Sequence, residues 1–268
     1  PHVRHDDATL HLFARVEGEP GARWLDGETG AARATAAMTA LAHLHRALGR
    51  LPIDDGLVKE AAVEGGRAGT TSRSEGTRDP WVHVRARLER IRAGRLDGLP
   101  AGAVDVLDTA ERTLDVPAPG PVQWLHGDFH LGNLLWRRDE VIGVVDFDDV
   151  GIGAVGGEVA LALFALARRP GERFRYDPTL WRVGLAAYAG AESMSTLDAS
   201  VGSASSAVAA SITTLDQPAL ARVFCASQLL VHLEAAQRGL WALDDPGLEL
   251  AFWPYWHALS ERDLELVE

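Results

Sequence analysis

The sequence predicts an α+β fold, mainly helical, organised around one small β-hairpin with acidic loops. Two observations carry this. Apolar residues recur at helical spacing in segments on both sides of the chain's centre, and Pro and Gly punctuate those segments. Between Trp124 and Asp149, short apolar runs alternate with two polar loops. Val122, Trp124 and Leu125 lead into His126-Gly127-Asp128. Leu134 to Trp136 form a second run, and Val141 to Val145 a third that stops at Asp146. Asp128, Asn133, Asp146 and Asp148 therefore project where strands end, a donor set suited to a hard cation such as Mg²⁺ and to a proton acceptor.

From the start of the chain, Leu10, Leu12, Ala14 and Val16 alternate with His11, Phe13 and Arg15 as a strand does, and Gly18-Glu19-Pro20-Gly21 breaks it. Met38, Leu41, Leu44 and Leu48 predict a helix from about Ala31 to Leu48, stopped by Gly49 and Pro52. His43 and His45 lie two apart on it and cannot share a face, so both read as helix-face histidines. Residues 64–79 hold almost no apolar side chain and predict an exposed, mobile loop. Asp79-Pro80 then caps a helix carrying Trp81, Val84, Leu88 and Ile91 on one face and ended by Gly94.

A further helix spans about Pro100 to Leu114, with Val104, Leu107 and Leu114 inward, and the Pro-rich stretch 117–121 delivers the chain to the hairpin. Gly151 to Gly157 reads as a Gly-rich link into an apolar helix from Glu158 to about Arg168; it lacks the Lys and Ser/Thr of a phosphate-binding P-loop. Asp177-Pro178 opens the next helix, which runs to Gly190. Residues 191–216 are rich in Ser and Ala, either partly helical or a flexible insertion, and Pro218 starts a long apolar helix. Trp241, Trp253, Tyr255 and Trp256 crowd the final segment and read as helix packing.

The 268 residues, 47% of them hydrophobic, suffice for a substantial core. The net charge of -12 excludes nucleic acid and anionic membrane as expected partners and favours a cationic substrate. No apolar run reaches the ~20 residues of a bilayer span, and the polar start is unlike a signal peptide. Cys225 is the only cysteine, which fits a cytoplasmic setting and excludes an internal disulfide.

The stretch His126-Gly127-Asp128, with Asn133 five residues on and Asp146-Phe147-Asp148 after the hairpin, resembles the Brenner-type loop and metal-binding D-x-D of the aminoglycoside phosphotransferase family. These small-molecule kinases are related to choline kinase and distantly to protein kinases, whose counterparts are H-R-D-x-x-x-x-N and D-F-G. The resemblance implies a protein-kinase-like C-terminal lobe. It implies Asp128 as catalytic base, Asn133 and Asp146 as ligands of Mg²⁺ bound to ATP, Asp148 as ligand of a second metal or its water, and His126 as a structural tie between the loops. The implied reaction is transfer of the γ-phosphate to a hydroxyl of an aminoglycoside-like antibiotic or a metabolite.

On the same resemblance, residues 1–19 correspond to a remnant of the nucleotide lobe and hinge, and 20–268 to the catalytic lobe. A Gly-rich strand-turn-strand is missing before the hinge, and the only lysine, Lys59, falls after it. The chain is thus expected to be incomplete and inert as a kinase by itself. Where the family commonly has Asp before Leu-Ala, Glu158-Val159-Ala160 stands here. Two other readings compete: a non-catalytic binding domain of pseudokinase type, and a metal-dependent hydrolase holding zinc on His126, Asp128 and His130.

Overall fold

The computed structural model describes residues 2–5, 8–11, 18–21, 25, 29–53, 80–114, 120–191, 204–240, 242, 245 and 248–261. The expected loop at 64–79, Trp241 and most of the strand from Leu10 to Val16 lie outside them. Among the described residues are eight α-helices and four small antiparallel sheets. The fold is α+β and dominantly helical.

The chain begins with a hairpin of β1 (His2–His5) and β2 (Ala8–His11). The sequence suggested one lone strand here, whereas β2 is paired along its length with β1. Glu19–Pro20, read as a break, forms a two-residue strand β3 on the edge of β5 (Leu134–Arg137). An edge tolerates a proline because no partner needs its missing N–H. Gly21 follows because the chain passes so close to the next loop that a Cβ there would lie 1.9 Å from the Leu131 carbonyl oxygen.

Helix α1 (Gly30–Leu48) buries Ala34, Ala37, Met38, Leu41 and His45 along one stripe. Arg33 ties it to the hairpin, bonding Asp139 at 2.9 Å while its guanidinium lies 5.4 Å from the Trp136 ring centroid. Helix α2 (Pro80–Ala93) has the expected Pro at its start, and α3 (Ala103–Thr113) turns Val106, Leu107 and Ala110 inward. Val104, expected inward, is 56% exposed, because the helix starts at Ala103 and its phase points that position to solvent.

The sheet elements that follow position the site. Strand β4 (Val122–Leu125) pairs antiparallel with β7 (Gly151–Ala154), and β5 pairs with β6 (Glu140–Val144). The expected Gly-rich link is therefore a buried strand. Helix α4 (Val155–Ala167) starts three residues before the expected Glu158 and is almost wholly buried. Short strands β8 (Arg168–Arg169) and β9 (Arg175–Tyr176) pair before α5 (Pro178–Gly190), where the Asp177 carboxylate caps the Thr179 and Leu180 amides.

Within 191–216, α6 (Ala204–Thr213) is helical. Helix α7 (Gln217–Gln237) is long and apolar enough by composition to cross a bilayer, more than the sequence reading allowed. Its hydropathy is explained by the core: Leu220, Val223, Phe224, Leu229, Leu230 and Leu233 are all buried in it. Helix α8 (Trp253–Ser260) closes the described chain. Tyr255 packs edge-on against Phe224, in a cluster with Phe164 and Phe174, so this part of the C-terminal aromatic group is core. The buried thiol of Cys225 is free, and burial pushes its pKa well up.

Candidate active site

Two loops meet at the ends of β4 and β6. The first, residues 126–130, runs into a turn of 3₁₀ helix at Leu131–Asn133; the second carries a 3₁₀ turn at Phe147–Asp149. They touch so closely that a Cβ at Gly127, whose φ is 87°, would sit 1.9 Å from the Asp149 carbonyl oxygen. Only glycine serves there. The Val145 amide bonds the Asn133 carbonyl at 2.9 Å, which extends the hairpin pairing to the edge of both loops.

His126 spans the two loops from a fully buried position. Its Nε2 donates to the Val145 carbonyl at 3.0 Å and its Nδ1 accepts from the Asp128 amide at 3.3 Å, while its ring lies 4.7 Å from that of Phe147. Both ring nitrogens are thereby engaged, which leaves none to ligate zinc. Among the described residues no group of three or more His, Cys, Asp or Glu is placed to hold a metal ion. The hydrolase reading loses its ligand set.

The Asp128 carboxylate is gripped on one oxygen. Asn133 Nδ2 donates to the Asp128 carbonyl at 2.9 Å and to its Oδ2 at 3.2 Å. His130 Nε2 lies 3.3 Å from the same Oδ2. Because His130 Nδ1 accepts from the Gly132 amide at 3.0 Å, its ring proton sits on Nε2, aimed at Asp128. Oδ1 accepts no hydrogen bond among the described residues. His130 thus joins the site as a partner of Asp128, a role sequence reading missed while weighing it only as a zinc ligand.

The hydrogen bond from His130, and then its charge, hold the Asp128 pKa below the ordinary carboxylate value, with smaller contributions from Asn133 and His126, and against the opposing effect of burial. The same bond raises His130, helped by the charges of Asp128 and Asp146 against burial. Asp128's share of stability is present above the usual carboxylate pKa and lost as pH falls through its depressed value. His130's share is present below the usual imidazole pKa and lost as pH rises through its raised value. A His130→Gln variant is therefore expected to be less stable than the wild type at about pH 5 and equal to it at about pH 9, by well under about 1 kcal/mol because the pair is half-solvated. Chemical denaturation at the two pH values checks this, and an equal deficit at both would contradict it.

Asp146 stands in the left-handed region, φ 64° and ψ 66°, with an exposed side chain. Its carboxylate and Asn133 Oδ1, the amide atom left when Nδ2 bonds Asp128, are both hard oxygen donors. Two such donors fit Mg²⁺, which commonly takes one or two protein oxygens with phosphates and water completing its shell. Asp148 is also exposed, on the following turn.

A larger omission from the sequence reading is Glu158. It lies on α4, only 3% exposed, and anchors the first loop. Oε2 accepts from the His126 amide at 3.2 Å and Oε1 from the Gly127 amide at 2.5 Å. His45 Nε2 donates to Oε2 at 2.6 Å, and His45 Nδ1 meets the Tyr188 hydroxyl at 2.8 Å. His45, read as a helix-face residue, is thus a buried brace; His43 is exposed. The only signal in the sequence was a carboxylate inside an apolar helix, a group that burial forces to find partners.

Beside Asp128 opens a cavity of about 840 Å³ bounded by this loop and by α2, α4 and α7. Asp128, His130 and Asp149 line it; Asn133, Asp146 and Asp148 do not. Asp128 thus borders a half-open cavity whose lining leaves out Asn133, Asp146 and Asp148.

Residues 3–192 match the family described as the phosphotransferase enzyme family, and the chain belongs to it. No curated protein matches the chain. Among solved structures, macrolide 2'-phosphotransferase from Brachybacterium faecium is similar over 91% of this chain and 68% of its own, at 17% identity and TM-score 0.44. Amicoumacin kinase in complex with AMP-PNP, Ca²⁺ and Ami is similar over 90% and 63%, at 14% identity and TM-score 0.48. Choline kinase from Cryptosporidium parvum covers 91% and 66%, at 12% identity and TM-score 0.38. The chain spans between 63% and 68% of the length of these three proteins.

Proposed function

We propose that this chain is the catalytic lobe of an enzyme that transfers the γ-phosphate of ATP to a hydroxyl group of a small molecule. The observation that carries the reading is the grip on Asp128, a residue that borders the cavity: Asn133 and His130 both engage Oδ2, and Oδ1 accepts no hydrogen bond among the described residues. In the reaction, Asp128 Oδ1 accepts the hydroxyl proton as the acceptor oxygen bonds to phosphorus and ADP leaves. His126 and Glu158 fix the loop that aims the carboxylate. Asn133 Oδ1 and Asp146 would hold Mg²⁺, with Asp148 beside them, and the ion when bound would neutralise charge on the phosphates.

The described residues include no lysine to clamp the nucleotide's phosphates: Lys59, the only one in the sequence, lies outside them and follows β3 in the chain. Phosphoryl transfer is mostly positioning and electrostatics, so the lobe by itself should be inert. The 268-residue polypeptide is expected to melt cooperatively with a midpoint that millimolar Mg-ATP does not move; a clear stabilisation would mean that it holds a nucleotide site of its own.

In the enzyme expressed from the full reading frame, Asp146→Asn is expected to weaken Mg²⁺ and ATP together, by about tenfold or more, because it removes the charged ligand of the pair. Titrations of ATP with and without Mg²⁺ test it. An unchanged Mg²⁺ dependence would remove Asp146 from the metal site.

A further inference from the structure

The backbone of Asp128 is well fixed, and its carboxylate is less so. The Asp128 amide donates to His126 Nδ1 at 3.3 Å, and its carbonyl accepts from Asn133 Nδ2 at 2.9 Å. The carboxylate turns about a broad, twofold torsion on a side chain that is 47% exposed. Asn133 reaches Oδ2 only at 3.2 Å, with an amide already shared with the carbonyl. One such bond does not decide which oxygen stays free.

His130 supplies the second hold. Its backbone is extended, φ −148° and ψ 171°, so Asp128 and His130 share a face while Phe129 between them is buried. The ring is itself constrained from behind. Nδ1 accepts from the Gly132 amide at 3.0 Å, capping the 3₁₀ turn, and this keeps the proton on Nε2, 3.3 Å from Asp128 Oδ2. Gly132 makes the room. A Cβ there would lie 2.8 Å from His130 Cε1 and 3.1 Å from its Nδ1 and, chain neighbours aside, would meet nothing else among the described residues. Gly132 does not occupy the left-handed region, so its missing side chain serves the ring and not the backbone.

Resting on the phosphotransfer reading for the reaction it serves, we propose that His130 is a positioning residue for the base: seated by Gly132, its Nε2–H holds Asp128 Oδ2 so that Oδ1 is the oxygen left for the acceptor's proton.

Two amide side chains separate this role from mere support of the turn. His130→Asn puts an acceptor where Nδ1 stands, which keeps the cap without reaching Asp128. His130→Gln puts an N–H where Nε2 stands. The enzyme expressed from the full reading frame is assayed with Mg-ATP and, in turn, water, choline, kanamycin and erythromycin as acceptor. His130→Ala and His130→Asn are expected to lower kcat by about thirtyfold and His130→Gln to recover to within about fivefold of the wild type, all with KM for ATP changed by no more than about threefold. Gly132→Ala should cost about tenfold by itself and nothing further once His130→Ala is present. Imidazole ¹H–¹⁵N NMR of the same enzyme reads the ring without turnover: at about pH 9, His130 should be the Nε2–H tautomer in the wild type and a mixture in Gly132→Ala. An Nδ1–H tautomer in the wild type, a kcat restored by Asn and not by Gln, or an undiminished loss from Gly132→Ala on top of His130→Ala would each overturn the assignment. Absence of phosphoryl transfer to all four acceptors, with the Nε2–H tautomer in place and lost in Gly132→Ala, would sink the phosphotransfer reading and leave the hold on the carboxylate standing.

Discussion

Asp128→Ala in the full-length enzyme is expected to lower the rate of phosphoryl transfer by about a thousandfold or more while Mg-ATP still binds. On the proposed mechanism the base meets the acceptor and not the nucleotide, so its removal should appear in kcat and leave nucleotide affinity nearly unchanged. The gripped geometry sharpens this. With Asn133 and His130 on Oδ2, Asp128→Asn keeps the shape but offers no anionic oxygen to the acceptor proton, so it should fail almost as badly as alanine. Single-turnover transfer measured beside equilibrium nucleotide binding separates the two effects. Turnover within about tenfold of the wild type would remove Asp128 as the base.

The second large effect is on folding. Glu158→Ala is expected to destabilise the protein by about 4 kcal/mol, since it leaves the His126 and Gly127 amides and the His45 ring buried without their partner. For a chain of this size that corresponds to a drop in Tm of about 10 °C. Glu140→Ala, at an exposed carboxylate on β6, serves as the control and should shift the melt by no more than about 1 °C. A Glu158→Ala melt within about 2 °C of the wild type would show that the brace under the loop contributes little.

Elements with local signals were legible in the sequence. The start of α2 followed from Asp79-Pro80, the start of α5 from Asp177-Pro178, and the β5–β6 hairpin from two apolar runs flanked by polar loops. What escaped depended on distant partners. Strand β7 is glycine-rich and looks like a linker until β4 packs against it. Glu158 lies 113 residues from His45, and no local pattern joins them. His130 gains its meaning from a turn that fixes its tautomer on Gly132. The cavity is assembled from three helices and the catalytic loop, with lining residues scattered from Gly21 to His232, so it cannot be read from any single segment.

The most direct test of the central claim is ³¹P NMR of the full-length enzyme incubated with Mg-ATP and an acceptor that binds the cavity. A phosphate monoester on an acceptor oxygen should form in step with ADP, and should be absent with Asp128→Ala. Release of inorganic phosphate without any ester, or ester formation undiminished in Asp128→Ala, would contradict the account.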